Sequence, residues 1–146
     1  MYRRILLSYD GTAEGRRALR EGARLAIAMR SEVHLLAICR SMMSSAVPEG
    51  HTPELVACEE DTARELLDDG VRRLKARGLD AQGELAIGDP LRLIPEIAAR
   101  IGADLIVVGY RPRGRLARWW SDSPQQSLLN FVPCSLLVAM NAEQDE

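Results

Sequence analysis

With only three cysteines, two histidines and a single phenylalanine in 146 residues, the sequence is poor in the groups that most often do chemistry. Cys39, Cys58 and Cys134 are odd in number and none stands two residues from another, so neither a disulfide framework nor a zinc site is expected. His34 falls in a strand pattern and His51 in a polar stretch, without a nucleophile at a recognisable spacing. A core role for His34 and a solvated role for His51 are expected, and no catalytic residue is predicted: the chain reads as a non-enzyme. Long apolar runs are also lacking. Met1 to Leu7 carries Arg3 and Arg4 ahead of an apolar run that breaks at Asp10-Gly11, too short for a signal peptide, and no stretch approaches the length of a membrane span. The expectation is a cytoplasmic protein with no membrane partner. Lysine is nearly missing, with Lys75 alone among 19 basic residues. That bias is attributed to genome composition. Set against 21 acidic residues it leaves a formal charge of −2, too weak a field to gather nucleic acid, which is not expected as a partner.

What is present is the length of one domain, 47% hydrophobic and 27% charged, enough to bury a continuous core. Strand and helix patterns alternate along it. Ile5 to Tyr9 is a short buried-strand run ending at Asp10-Gly11-Thr12, and the segment that follows, to Met29, places Leu19, Ala23, Ala26 and Ile27 on one helical stripe. Val33 to Ile38 is the second strand. Thr52-Pro53 opens a helix that repeats Ala63, Leu66, Leu67, Gly70, Val71 and Leu74 at spacings of three and four and stops at Gly78. The third strand lies near Gln82 to Ile87. Asp89 caps and Pro90 starts a third helix toward Gly102, with Leu93, Ile94, Ile97 and Ile101 inward and Pro95 expected to kink it or tighten its first turn. Leu105 to Val108 with Gly109 is the fourth strand, Ser123 to about Asn130 the fourth helix, and Ser135 to Ala139 the fifth strand. The pattern is that of an α/β domain, doubly wound, with helices on both faces of a parallel sheet. Residues 1–140 form the domain and 141–146 a polar tail.

The most specific stretch is Gly109-Tyr110-Arg111-Pro112, followed after nine residues by Asp122-Ser123-Pro124. With Ile5-Leu6-Leu7-Ser8-Tyr9-Asp10-Gly11-Thr12, Gly88-Asp89-Pro90 and Gly102-Ala103-Asp104-Leu105-Ile106-Val107-Val108, it resembles the universal stress protein family along nearly the whole chain. The resemblance implies a five-stranded parallel sheet in the order 3-2-1-4-5. It also implies a nucleotide site at Asp10, Thr12, Ile38 and Gly109, with Arg111, Ser121 and Ser123 on the phosphate side. Capping by Asp10 and core packing by Ile38 explain those two residues equally well.

Nucleotide-binding members carry Gly, two residues, Gly, nine residues, then Gly-Ser/Thr in this loop. Here Pro112 and Asp122 replace the second and third glycines. Phosphate loops act through backbone N–H groups, and Pro112 and Pro124 have none. Asp122 adds a carboxylate whose repulsion of a phosphate oxygen about 4 Å away is roughly 4 kcal/mol at an effective dielectric near 20. Arg111, Arg113, Arg115 and Arg118 oppose this, since guanidinium binds phosphate well, and magnesium could take Asp122 as a ligand. Trp119 and Trp120 offer stacking surface in the same loop, one of them expected to close it onto the domain.

The chain has neither the histidine pair nor the Ser-Gly-Gly loop of related adenylyl-transferring enzymes after its first strand. Two readings follow. One is a dimeric stress-response interaction module with weak or absent ATP binding, no expected cofactor and an unknown protein partner; the other is a stress sensor that binds ATP or AMP with magnesium. In the implied order the fifth strand is an edge, and Leu136, Leu137, Val138 and Ala139 carry no charge or proline to block pairing, so a homodimer through this strand is expected.

Overall fold

The computed structural model describes residues 1–9, 13–39, 53–110, 128 and 131–140; of residues 13–15, 53–59, 110 and 140 it describes the backbone alone. Its elements are β1 (Arg4–Tyr9), α1 (Ala13–Met29), β2 (Glu32–Cys39), α2 (Pro53–Ala76), β3 (Ala81–Ile87), α3 (Pro90–Ile101), β4 (Leu105–Tyr110) and β5 (Ser135–Met140). The five strands form one sheet in the order β3-β2-β1-β4-β5, and every neighbouring pair is parallel. The fourth helix expected after Ser123 lies outside the described residues, except Leu128, which is fully buried among the side chains of the α3 face.

Alternation along the strands divides the core in two. Ile5, Leu7, Val33, Leu35 and Val107 face α1 and α2. Leu6, Leu36, Ile106 and Val108 face α3, where they meet Leu93, Ile94, Ile97 and Ala98. Central strands read as unbroken apolar runs because both faces are covered. Two glycines set how closely the helices approach: a Cβ on Gly22 of α1 would stand 2.2 Å from Leu7 Cδ2, and one on Gly70 of α2 would stand 2.6 Å from Leu35 Cδ2.

All three helices end in the same hydrogen-bond pattern. The residue past the last turn is left-handed, at φ 55° for Arg30, 85° for Gly78 and 70° for Gly102. The next N–H then reaches back five residues, from Ser31 to Ala26 O, Leu79 to Leu74 O and Ala103 to Ala98 O. Arginine fills at α1 a position that glycine fills at α2 and α3.

Three expectations need correction. Ile27 is 47% exposed: at about 100° per residue it falls beyond Ala23 and off the buried face of α1. Strand β4 runs one residue past Gly109, because Gly109 and Tyr110 still pair with Ala139 and Met140. Pro95, by contrast, has the second of its two expected effects: helix α3 is continuous through it and its first turn is tightened, with Asp89 O accepting from both Arg92 N at 3.1 Å and Leu93 N at 2.9 Å. His34 is no plain core residue, since its Nε2 lies 3.3 Å from Glu84 Oε1. Glu84 also receives Arg100 of α3, whose hydrogen bond, with the charges of Arg100 and His34, outweighs desolvation and lowers the carboxyl pKa.

The amino ends of the strands are stitched together. Asp104, just before β4, accepts from Arg3 N at 2.8 Å and Arg4 N at 3.0 Å, and its own N–H donates to Arg4 O. Partial burial alone would raise the Asp104 pKa, but these N–H donors outweigh it and hold the pKa below the usual carboxylate range. Arg4 ties Glu32 through Nε at 2.9 Å, and Glu32 N and Val33 N donate to Arg3 O and Asp80 O.

Candidate functional site

Helix α1 carries the chain from β1 to β2 on one side, whereas α3 carries it from the edge strand β3 to β4 on the other side of β1. The winding reverses between β1 and β4, the place where open parallel sheets bind ligands beyond their carboxyl ends. The ladders differ there. β1 pairs with β2 as far as Tyr9–Ala37, and β4 with β5 as far as Tyr110–Met140, but the β1–β4 ladder stops at Leu7–Val107. Ser8 and Tyr9 form one lip of a crevice, and Val108 and Gly109 the other, with no ladder partners across it.

The end of β2 makes the next wall. Ile38 is half-buried against the α3-side core and is paired with Ala86 of β3. Gly88 N donates to Cys39 O at 2.9 Å, which fastens the Gly88-Asp89-Pro90 turn to the end of β2. The Asp89 carboxylate accepts from Leu91 N at 3.1 Å and so caps α3. Gly109 is buried on the β4 lip and, as a glycine, offers bare backbone. The structure therefore brings Ile38 and Gly109 to the same end of the sheet. Asp10, Thr12, Arg111, Ser121 and Ser123, with Pro112, Asp122, Pro124 and the two tryptophans, lie outside the described residues. Sequence reasoning passed over Ser8 and Cys39 at this edge; the signal would have been the last residues of each strand run, one lip after another.

Among the described residues the groups with shifted pKa values lie elsewhere, Glu84, Asp104 and Cys134 among them, the last raised by burial and by the Asp104 charge. Among the described residues no three His, Cys, Asp or Glu side chains gather as metal ligands, and no helix is long and apolar enough to cross a membrane. The remaining candidates are on β5, where Leu136, Leu137 and Val138 are half-buried against their own domain and Ala139 is buried.

The family model described as "Universal stress protein family" matches residues 1–139. The chain belongs to the universal stress protein family. A universal stress protein of Synechocystis sp. is 29% identical over 83 residues, a match covering 57% of this chain and 54% of that protein, so it spans about half the relative's length. Among solved structures, a universal stress protein family member from Burkholderia pseudomallei superposes with a TM-score of 0.72 at 26% identity, covering 94% of this chain and 95% of the other. A family protein of Arabidopsis thaliana, solved with AMP bound, gives 0.70 at 14% identity over 98% and 94% of the two chains, a likeness of fold alone.

Proposed function

We propose that this family member is a stress-response interaction module that works as a homodimer with a protein partner and holds ATP weakly or not at all. The observation that carries the reading is the pair Pro112 and Pro124: whatever path the loop takes, neither residue has an N–H to give a phosphate. Asp122 adds a like charge. Titration of the full chain with fluorescent ATP and magnesium is expected to give no saturation in the low-micromolar range. The change Pro112→Gly, Asp122→Gly, Pro124→Val is expected to tighten binding. A low-micromolar wild-type complex would overturn the reading.

The dimer is supported by the place of β5 at the sheet edge, with an apolar run free of charge and proline. Leu137→Pro removes one ladder donor and is expected to yield monomers in light scattering; a wild-type monomer at micromolar concentration would contradict the assignment.

The opening between β1 and β4 favours a second reading, an adenine-nucleotide sensor. The crevice suits an adenosine or AMP moiety beside Asp10, Thr12, Ile38 and Gly109, and the AMP-bound relative of the same fold is consistent with that. Magnesium would then accompany ATP through Asp122 or phosphate alone, with Arg111, Ser121 and Ser123 on the phosphates. Retention of AMP by the protein through gel filtration would favour this reading over the first.

A further inference from the structure

Away from the crevice, α1 and α2 part over β1 and leave a cavity of about 660 Å³ on the other face of the sheet. Its floor is apolar, built from Tyr9, Leu19, Ala23 and Leu74. Its rim is cationic: Arg16 and Arg20 stand one turn apart on α1, and Arg73 and Arg77 one turn apart at the end of α2. Among the described residues Asp69 is the one carboxylate lining it, and it is already engaged, accepting from Arg73 Nε at 2.9 Å and lying 3.4 Å from Arg72. Among the described residues no carboxylate pairs with Arg16, Arg20 or Arg77. Elsewhere on these helices arginines do find partners, Arg24 with Glu21 and Arg64 with Glu60. Unpaired cations are therefore gathered around one apolar floor in a chain whose net charge is −2.

We propose that this cavity binds an organic anion with an apolar body, the body lying over Leu19 against the aliphatic stems of the rim arginines and the anionic group held by Arg20 and Arg77. Charge complementarity selects an anion, and the apolar lining rejects a bare inorganic one, since a fully hydrated ion gains nothing from Leu19 and the arginine stems. Size separates a small molecule from a protein segment. The volume is within the range of small-molecule sites, and the span from Asp69 to Arg77 is about 12 Å at the helical rise, shorter than a docked helix of ordinary length. Guanidinium suits the role because it pairs carboxylate in a planar, two-pronged way and tolerates an apolar neighbour.

Calorimetry of the full chain with decanoate, against decanol as the same body without charge, tests the proposal. Decanoate is expected to saturate one site per chain and to bind at least about tenfold tighter than decanol. Arg20→Glu with Arg77→Glu should weaken decanoate by at least about tenfold, as should Ala76→Trp, which fills the cavity from its exposed rim. Arg92→Glu, on α3 across the sheet, should leave it unchanged, and added ATP should not compete. Equal binding of decanol and decanoate, no saturation, or indifference to the arginine and Ala76→Trp variants would each overturn the site. So would arginine-dependent binding of hexaglutamate in place of decanoate, which would make the surface one for an acidic protein segment. The decanol comparison uses the unaltered chain, so the test stands even if a charge-reversed variant fails to fold.

Discussion

At the amino end of the sheet the starts of β1, β2 and β4 are tied by Asp104, Arg4 and Glu32, whereas at the carboxyl end the β1–β4 ladder stops at Leu7–Val107 and the lips carry bare strand ends. The ionisable side chains at the first end are occupied with one another and with backbone N–H groups. At the second end, the described fastening is confined to the Gly88-Asp89-Pro90 turn, beside the lips and not across them.

The comparison breaks first at Asp104. Asp104→Ala strips the acceptor from two backbone N–H groups, and a loss of about 1–2 kcal/mol in urea unfolding is expected. Ser8→Ala, near the carboxyl end of β1, is expected to cost under about 0.5 kcal/mol, as a change away from such a network does. Equal losses would mean that the two edges do not differ in structural role. Gly22→Ala comes next. The added methyl must displace Leu7 in the α1-side core, a strain that exceeds the gain in helix propensity and leaves a net loss of about 1 kcal/mol. Arg30→Gly should act in the opposite direction, adding about 0.5–1 kcal/mol by removing the cost of a left-handed non-glycine residue at the end of α1.

The smallest expected effect is one of pH. Folding lowers the carboxyl pKa values of Asp104 and Glu84, so the stability they contribute is present above the unfolded carboxylate range, near about 4, and is lost as pH falls through the lowered folded values. The urea midpoint should drop between about pH 5 and 3, and less steeply in Asp104→Asn. A steeper drop in that variant would reverse the assigned sign.

Much of the fold was legible because its signals are local. Apolar runs of strand length, Pro90 after Asp89 and the glycines at 78 and 102 announce elements and their ends within a few residues. The order β3-β2-β1-β4-β5 came through the family resemblance, since periodicity does not order strands. What escaped was set by packing between distant segments. His34 reads as core on its strand, and only the fold brings it Glu84 from β3, a carboxylate that also receives Arg100 of α3. The gathering of the four rim arginines has no local signal, because α1 and α2 are far apart in sequence. At the candidate site, Ile38 and Gly109 were legible as strand ends, but the parting of β1 from β4 depends on pairing register, which no residue type in either strand announces.

The central claim is that the adenosine end of the crevice keeps its frame while the phosphate end has lost its donors. The most direct measurement is the affinity of the same full-length chain for adenosine and for ATP with magnesium, by calorimetry in one buffer. The account predicts that ATP binds no tighter than adenosine, because Pro112 and Pro124 offer its phosphates no backbone donor and Asp122 adds an opposing charge. ATP bound more than about tenfold tighter, equivalent to about 1.4 kcal/mol from the phosphates, would contradict it.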